Sequence, residues 1–193
     1  MKAAKTWLAF AAWIAGGAAV LLLLAAGARA QGVVADKSEI GFTVKQMGVK
    51  FDGRFRKWKA DVAFNPQALA QSKAVFDVDL ASIDLASAES EAEARDKPWF
   101  DTAKFPVAHF ASTSIRDAGG GRYEIAGKLT LKGMTRDCVV PVVVKDEGGH
   151  RTAEGVFAIR RLDYKIGEGE WADTDVVDND VVVHVRIVLA TPA

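Results

Sequence analysis

The chain has 193 residues, with 25 Lys and Arg against 25 Asp and Glu. Its first 30 residues hold Lys2, Lys5, Arg29 and no acid, so the rest carries 22 bases against 25 acids, a net charge of −3. That mild acidity argues against nucleic acid, whose phosphates are bound by an excess of Lys and Arg. A single cysteine, Cys138, excludes an intramolecular disulfide, so stability must come from sheet and core.

The start of the chain reads as an export signal. Lys2 and Lys5 precede an uncharged stretch from Thr6 to Ala28, and Ala28-Arg29-Ala30 supplies the small-x-small end, with cleavage expected after Ala30. The apolar stretch is also long enough to span a bilayer, which makes an uncleaved N-terminal membrane anchor the alternative. On the first reading the protein is periplasmic. Residues 31–193, about 160, suit one domain with a sizeable core.

That domain reads as all-β. Ile40, Phe42 and Val44 alternate with Gly41, Thr43 and Lys45, the period of a strand with one buried face. A second extended run keeps Val49, Phe51, Gly53 and Phe55 on one parity, then shifts to Trp58, Ala60, Val62 and Phe64, which predicts a bulge or bend near Arg56–Lys57. Asn65-Pro66 marks a turn, and Ala74, Phe76, Val78 and Leu80 give another strand. The one helical segment lies between Ala86 and Lys97, with Ser87 as N-cap, Glu89, Glu91 and Glu93 near its start and Pro98 as its stop.

An irregular aromatic stretch, Trp99 to Phe105, follows. Tyr123, Ile125, Gly127, Leu129 and Leu131 then share a face, Gly133 closes the run, and Cys138, Val140, Val142 and Val144 restart the period as a long hairpin. Ala153, Gly155, Phe157 and Ile159 form the next strand, Gly167 and Gly169 a flexible loop. The last strand is Val181, Val183, Val185, Ile187 and Leu189, with His184 and Arg186 outward. Long amphipathic strands of this kind must close or pair to hide their apolar faces.

Catalytic signatures are lacking: there is no H-E-x-x-H, C-x-x-C or G-x-S-x-G. Cys138 shares the parity of Val140 and Val142, where a thiol is a small buried hydrophobe. Asp173 to Asp180 resembles a calcium loop but lacks its sixth-position Gly and terminal Glu, and reads as a solvated turn. The basic group Lys50, Arg54, Arg56, Lys57 and Lys59 reads either as the outer face of an exposed strand or as a rim for anionic head groups. The apolar and aromatic inventory fits both a filled interior and an elongated slot.

Six segments, in order, resemble the YceI-like family across residues 33–190. They are S-E-I-G-F-T-V, G-R-F-R-K-W-K-A-D-V-A-F, V-D-L-A-S-I-D, W-F-D-T-A-K-F-P-V-A-H-F, G-K-L-T-L-K-G-M-T and V-V-V-H-V-R-I-V-L. The resemblance implies an extended antiparallel lipocalin-like β-barrel with a short helical insertion, binding an isoprenoid lipid such as a polyprenyl phosphate or quinone. It implies no cofactor and no catalytic residue. Many relatives carry an R-D-x-H-L stretch before the aromatic segment; here only Arg95-Asp96 matches it.

On that reading the lipid-lining residues are Phe42 and Val44, Phe55 and Val62, Phe76 and Val78, Leu129 and Leu131, Phe157 and Ile159, and Val183 and Val185. Trp99, Phe100 and Trp171 are assigned to the mouth or lid. Two competing readings are an interaction barrel with a packed interior, partnering a membrane b-type cytochrome, and an exported lipid hydrolase with His109 near the aromatic lid as its base. Contact with a membrane surface belongs to the same picture. An edge strand or the segment around Trp99 could seat a homodimer.

Overall fold

A computed structural model describes residues 30–190. The segment expected to act as export signal or anchor lies outside the described residues, apart from Ala30. Ten strands form one antiparallel sheet: β1 Glu39–Gln46, β2 Val49–Phe55, β3 Trp58–Ala63, β4 Lys73–Asp79, β5 Ile83–Asp84, β6 Val107–Gly119, β7 Arg122–Leu131, β8 Met134–Glu147, β9 His150–Arg160 and β10 Asp180–Ala190. Among the described residues one α-helix, α1 (Ala88–Arg95), sits between β5 and β6. The order across the sheet is β3-β4-β6-β7-β8-β9-β10-β1-β2-β5.

The sheet curls into a half-barrel. Its edges, β3 and β5, are not paired to each other; the chain itself spans the gap. β2 runs on into β3 through Arg56–Lys57, and β4 runs on into β5 through a 3₁₀ turn at Leu80–Ser82. Phe55 and Trp58 both face inward with two residues between them, so the backbone must turn there. Hydrogen bonds lock the two bends together: Arg56 N to Ser82 O at 3.0 Å, Asp79 N to Lys57 O at 3.0 Å and Lys57 N to Ser82 Oγ at 2.9 Å. The extended antiparallel barrel that the resemblance implies takes the form of a half-barrel, with this bent pair as its seam.

Local chemistry sets the other landmarks. Ser87 caps α1, its Oγ accepting from Ser90 N at 3.1 Å. The β7–β8 hairpin turns through Lys132 and Gly133, both in the left-handed region (φ 48° and 74°), as a two-residue hairpin requires. A bulge between Ser112 and Ser114 shifts the register of β6 against β7. Val188, on the outward parity of β10, is nevertheless buried. The leading residues run alongside it, with Val34 N bonded to Val188 O and Val188 N to Ser38 Oγ.

Two buried clusters pack inside the half-barrel. One gathers Ile40, Val78, Leu80, Ala108, Leu131, Tyr164 and Ile166; the other gathers Val62, Ala74, Ile187 and Leu189. Inward-facing strand residues supply all of the second and four of the first, as the period-2 pattern requires, while Leu80, Tyr164 and Ile166 come from turns and loops.

Candidate ligand cavity

Between those clusters the interior is not filled. A cavity of about 400 Å³ runs inside the half-barrel, within the range of small-molecule sites. All fifteen residues expected to meet a ligand line it. Phe42 and Val44 come from β1, Phe55 from β2, Val62 from β3, and Phe76 and Val78 from β4. Leu129 and Leu131 come from β7, Phe157 and Ile159 from β9, Val183 and Val185 from β10, and Trp99, Phe100 and Trp171 from the loops. Ring pairs tie the wall together, with Phe42–Phe55 centroids 5.7 Å apart and Phe55–Phe100 6.1 Å apart.

Further wall residues share the same inward parity and were readable from it: Ile40, Phe110, Ile125, Val140, Ile187 and Leu189. The rim differs from the expected one. Trp99, Phe100 and Trp171 are half-buried, whereas the exposed members of the lining are Phe51 and Asp52 on β2 and Ala86, Ser90 and Glu93 at and before α1. The cavity thus opens between β2 and α1.

Arg161 closes the end beneath the tryptophans, and no local pattern announced it. It is 1% exposed, yet has no carboxylate partner among the described residues. Its five N–H groups meet five backbone carbonyls: Nε to Asp178 at 3.0 Å, Nη1 to Ile166 and Gly167 at 2.9 Å, and Nη2 to Trp171 and Val177 at 2.7 Å. Its guanidinium carbon also lies 5.9 Å from the Trp99 ring centroid. Burial alone holds its pKa below the usual value.

A second buried cation helps. Lys132 Nζ donates to Lys97 O at 2.9 Å and Lys165 O at 2.5 Å, and lies 3.5 Å from Glu168 Oε2. These bonds fasten the 97–105 segment to the 161–172 segment. The Gly167–Gly169 loop, expected to be flexible, is pinned instead, with Gly167 N also bonded to Pro98 O at 2.8 Å. Trp99 Nε1 stays buried without a hydrogen-bond partner among the described residues.

Two members of the basic group on the bent strand, Arg54 and Arg56, have a fastening role. Arg54 Nε and Arg56 Nη2 reach Asp84 at 2.8 and 2.6 Å, and Arg56 also meets Glu91 on α1 at 3.1 Å. These arginines hold the Asp84 carboxyl below its ordinary range. Arg95, left over from the R-D-x-H-L pattern, bonds Glu91 at 2.8 Å and Ala81 O at 3.0 Å. The cluster clamps α1 beside the mouth.

Groups with chemical potential lie elsewhere. His109 is on the outer face of β6, paired with Asp77 at 2.6 Å, while its neighbours Ala108 and Phe110 face the cavity. The hydrolase reading needed His109 beside the aromatic lid, and the strand alternation turns it away. Burial pushes the Cys138 thiol up, with the Asp137 charge adding to the shift, which is the opposite of an activated nucleophile. In the acidic turn, Asp173 Oδ1 accepts from Asp175 N, Asn179 Oδ1 accepts from Leu162 N, and the Val177 and Asp178 carbonyls accept from Arg161. Among the described residues no three His, Cys, Asp or Glu side chains converge as a metal site.

A single antiparallel sheet wrapped around an apolar cavity, with its carboxylates Asp52 and Glu93 confined to the exposed rim, defines a small all-β container. Residues 32–189 match the YceI-like domain. The chain belongs to that family. It is 33% identical over 138 residues to a UPF0312 protein of Vibrio cholerae, covering 66% of this chain and 70% of that one. The crystal structure of BcnA from Burkholderia cenocepacia is similar at a TM-score of 0.79 and 38% identity, over 81% of this chain and 99% of that one. A domain from Saccharophagus degradans, described as polyisoprenoid binding and implicated in plant cell wall breakdown, shares the fold at a TM-score of 0.65 and 18% identity, over 85% and 99% of the two chains.

Proposed function

We propose that this protein is a lipid carrier that takes the hydrocarbon chain of an isoprenoid lipid into the half-barrel. The observation that carries this reading is the cavity of about 400 Å³ whose wall is almost wholly apolar. Such a wall offers a ligand few directed hydrogen bonds and a large dry surface. Each methylene-sized unit that leaves water for it gains about 0.8 kcal/mol, so a chain of isoprene units is held by length and shape. The polar end of the lipid rests at the rim between β2 and α1. Quinones and polyprenyl phosphates both fit that description, and the polyisoprenoid-binding description of the Saccharophagus degradans domain supports the same class of cargo. An exported, periplasmic location agrees with the basic-apolar-small pattern of residues 1–30.

The cavity also bears on the competing readings. An interaction barrel for a membrane b-type cytochrome was expected to have a packed interior, and a hydrolase was expected to bring His109 to the lid. An interior that side chains leave unfilled and an outward His109 favour a carrier that does no chemistry on its cargo.

Mass spectrometry of an organic extract of the protein, purified from its native envelope, is the test. A stoichiometric isoprenoid, quinone or polyprenyl phosphate is the expected result and names the cargo. A protein that carries no lipid and takes up no added isoprenoid would overturn the reading.

A further inference from the structure

The hairpin joining β1 to β2 breaks three local rules together. Its two-residue turn is Met47–Gly48, at φ 47° and 79°, a geometry that Asn, Asp and Gly adopt at least cost. A methionine takes the left-handed position instead, and its side chain is 73% exposed. Just beyond it, Val49 is 59% and Phe51 43% exposed. Finally, Lys45 and Lys50 stand directly opposite each other across the hairpin, a like-charge pair that weakens a sheet. Lys45 reaches Asp178 at 3.9 Å, and Lys50 has no ion pair among the described residues.

None of this serves the fold. The turn is already held by its backbone, with Met47 N bonded to Val176 O at 2.8 Å and Gln46 bridged to Val177. Local rules broken without structural gain point to function. The apolar tip also runs into the cavity, because Phe51 belongs both to the exposed hairpin and to the rim. A protruding tip of three apolar side chains flanked by lysines suits a lipid surface, which buries apolar groups and attracts nearby cations. It is small for a protein interface, which needs about 800 Å² on each side. Asp173 and Asp175 lie on the adjacent loop, so the apolar side chains carry most of the contact.

We propose that the Met47–Gly48 hairpin tip inserts into the surface of a lipid bilayer and sets the cavity mouth against it. The cargo then passes from bilayer to barrel without crossing water; this part rests on the carrier reading, whereas insertion of the tip does not.

Insertion is tested on the full chain carrying Cys138→Ser, so that one introduced thiol takes a nitroxide label. Met47→Cys reports the tip, and Lys145→Cys reports the far end of β8. With phosphatidylcholine–phosphatidylglycerol vesicles, the label at position 47 is expected to be open to oxygen and shielded from an aqueous nickel chelate, and the label at 145 open to the chelate. Equal chelate access at both positions overturns the proposal. Transfer is tested with Val49→Asp. Uptake of an isoprenoid from vesicles is expected to slow about tenfold or more, as the loss of one buried valine side chain implies, while loading with farnesol from solution is unchanged. Equal transfer by wild type and Val49→Asp also counts against the proposal. A shielded label on a protein that never takes up farnesol supports insertion and removes the carrier reading instead.

Discussion

Phe42 lays its ring on the α-carbon of Gly53, its partner across β1 and β2. A methyl group on Gly53 would collide with the tip of that ring and meet Leu85 Cδ2 at 2.8 Å. Gly127, opposite Ser112 and diagonal to Phe110, is closed off in a similar way: a Cβ would lie 2.5 Å from the Phe110 ring and 2.7 Å from the Ala111 carbonyl oxygen. Glycine in these strands makes room for aromatic wall residues. The two sites differ in what must yield. At Gly53 it is the flexible ends of side chains; at Gly127 it is backbone. Gly127→Ala is therefore expected to cost about 1–3 kcal/mol, a fall of several degrees in thermal melting. Gly53→Ala should melt closer to wild type but push Phe42 into the cavity and reduce lipid uptake.

Arg161 is the keystone of the tryptophan end. Replacing it with Met leaves five carbonyls from three loop segments without their donor. Loss on that scale is expected to cost roughly 4 kcal/mol, read as a lowered urea midpoint at unchanged slope. Arg161→Lys, with three donors for five acceptors, should fall between wild type and Arg161→Met. Equal stability of all three proteins would show that the carbonyls find water and that Arg161 does not organise the loops.

These two cases mark what the sequence could and could not reveal. Inward parity along each strand named the wall, because alternation is local and covalent: Phe42, Val78, Leu129 and Val183 all face the cavity. The bend at Arg56–Lys57 and the Ser87 cap were legible for the same reason. Arg161 was not. Its partners lie at 166–178 and bond through main-chain oxygens, which leave no mark in side-chain pattern. Likewise Arg54 and Arg56 read as a free basic face until Asp84 and Glu91, some thirty residues on, were brought beside them. The position of the mouth is non-local in the same way. Aromatic side chains suggested a lid at Trp99 and Trp171, but the closeness of α1 to β2 decides where the barrel opens.

One carboxyl, Asp84, and one phenol, Tyr164, make the stability of the fold depend on pH. The Asp84 carboxyl, held down first by the Arg54 hydrogen bond, has a native pKa below its ordinary 3.8. Its contribution is complete above that value and is lost as pH falls through the native one. Hydrogen exchange at low pH should therefore loosen α1 before β10, and Asp84→Asn should loosen α1 already at neutral pH. Tyr164 behaves oppositely. Burial pushes its phenol from 10.0 to about 12, so its neutral form stabilises the fold up to pH 10 and that stability is lost between pH 10 and about 12. Tyr164→Phe should flatten the alkaline limb of a stability–pH curve; an unchanged limb would assign it to other groups.

The cavity itself is open to a direct challenge. Leu129 on β7 and Val183 on β10 both face it. Close-packed interiors reject added volume at about 1–3 kcal/mol per overpacked site, whereas a preformed void accepts it and gains contacts. Leu129→Trp and Val183→Trp thus separate two physical situations with one melting curve. If the space of about 400 Å³ persists in solution, each variant should melt within a few degrees of wild type or above it. Each should also lose isoprenoid or apolar-dye uptake, because the indole occupies the ligand's place. A fall of several degrees with uptake intact would mean that the walls close on themselves and that the lipid enters elsewhere.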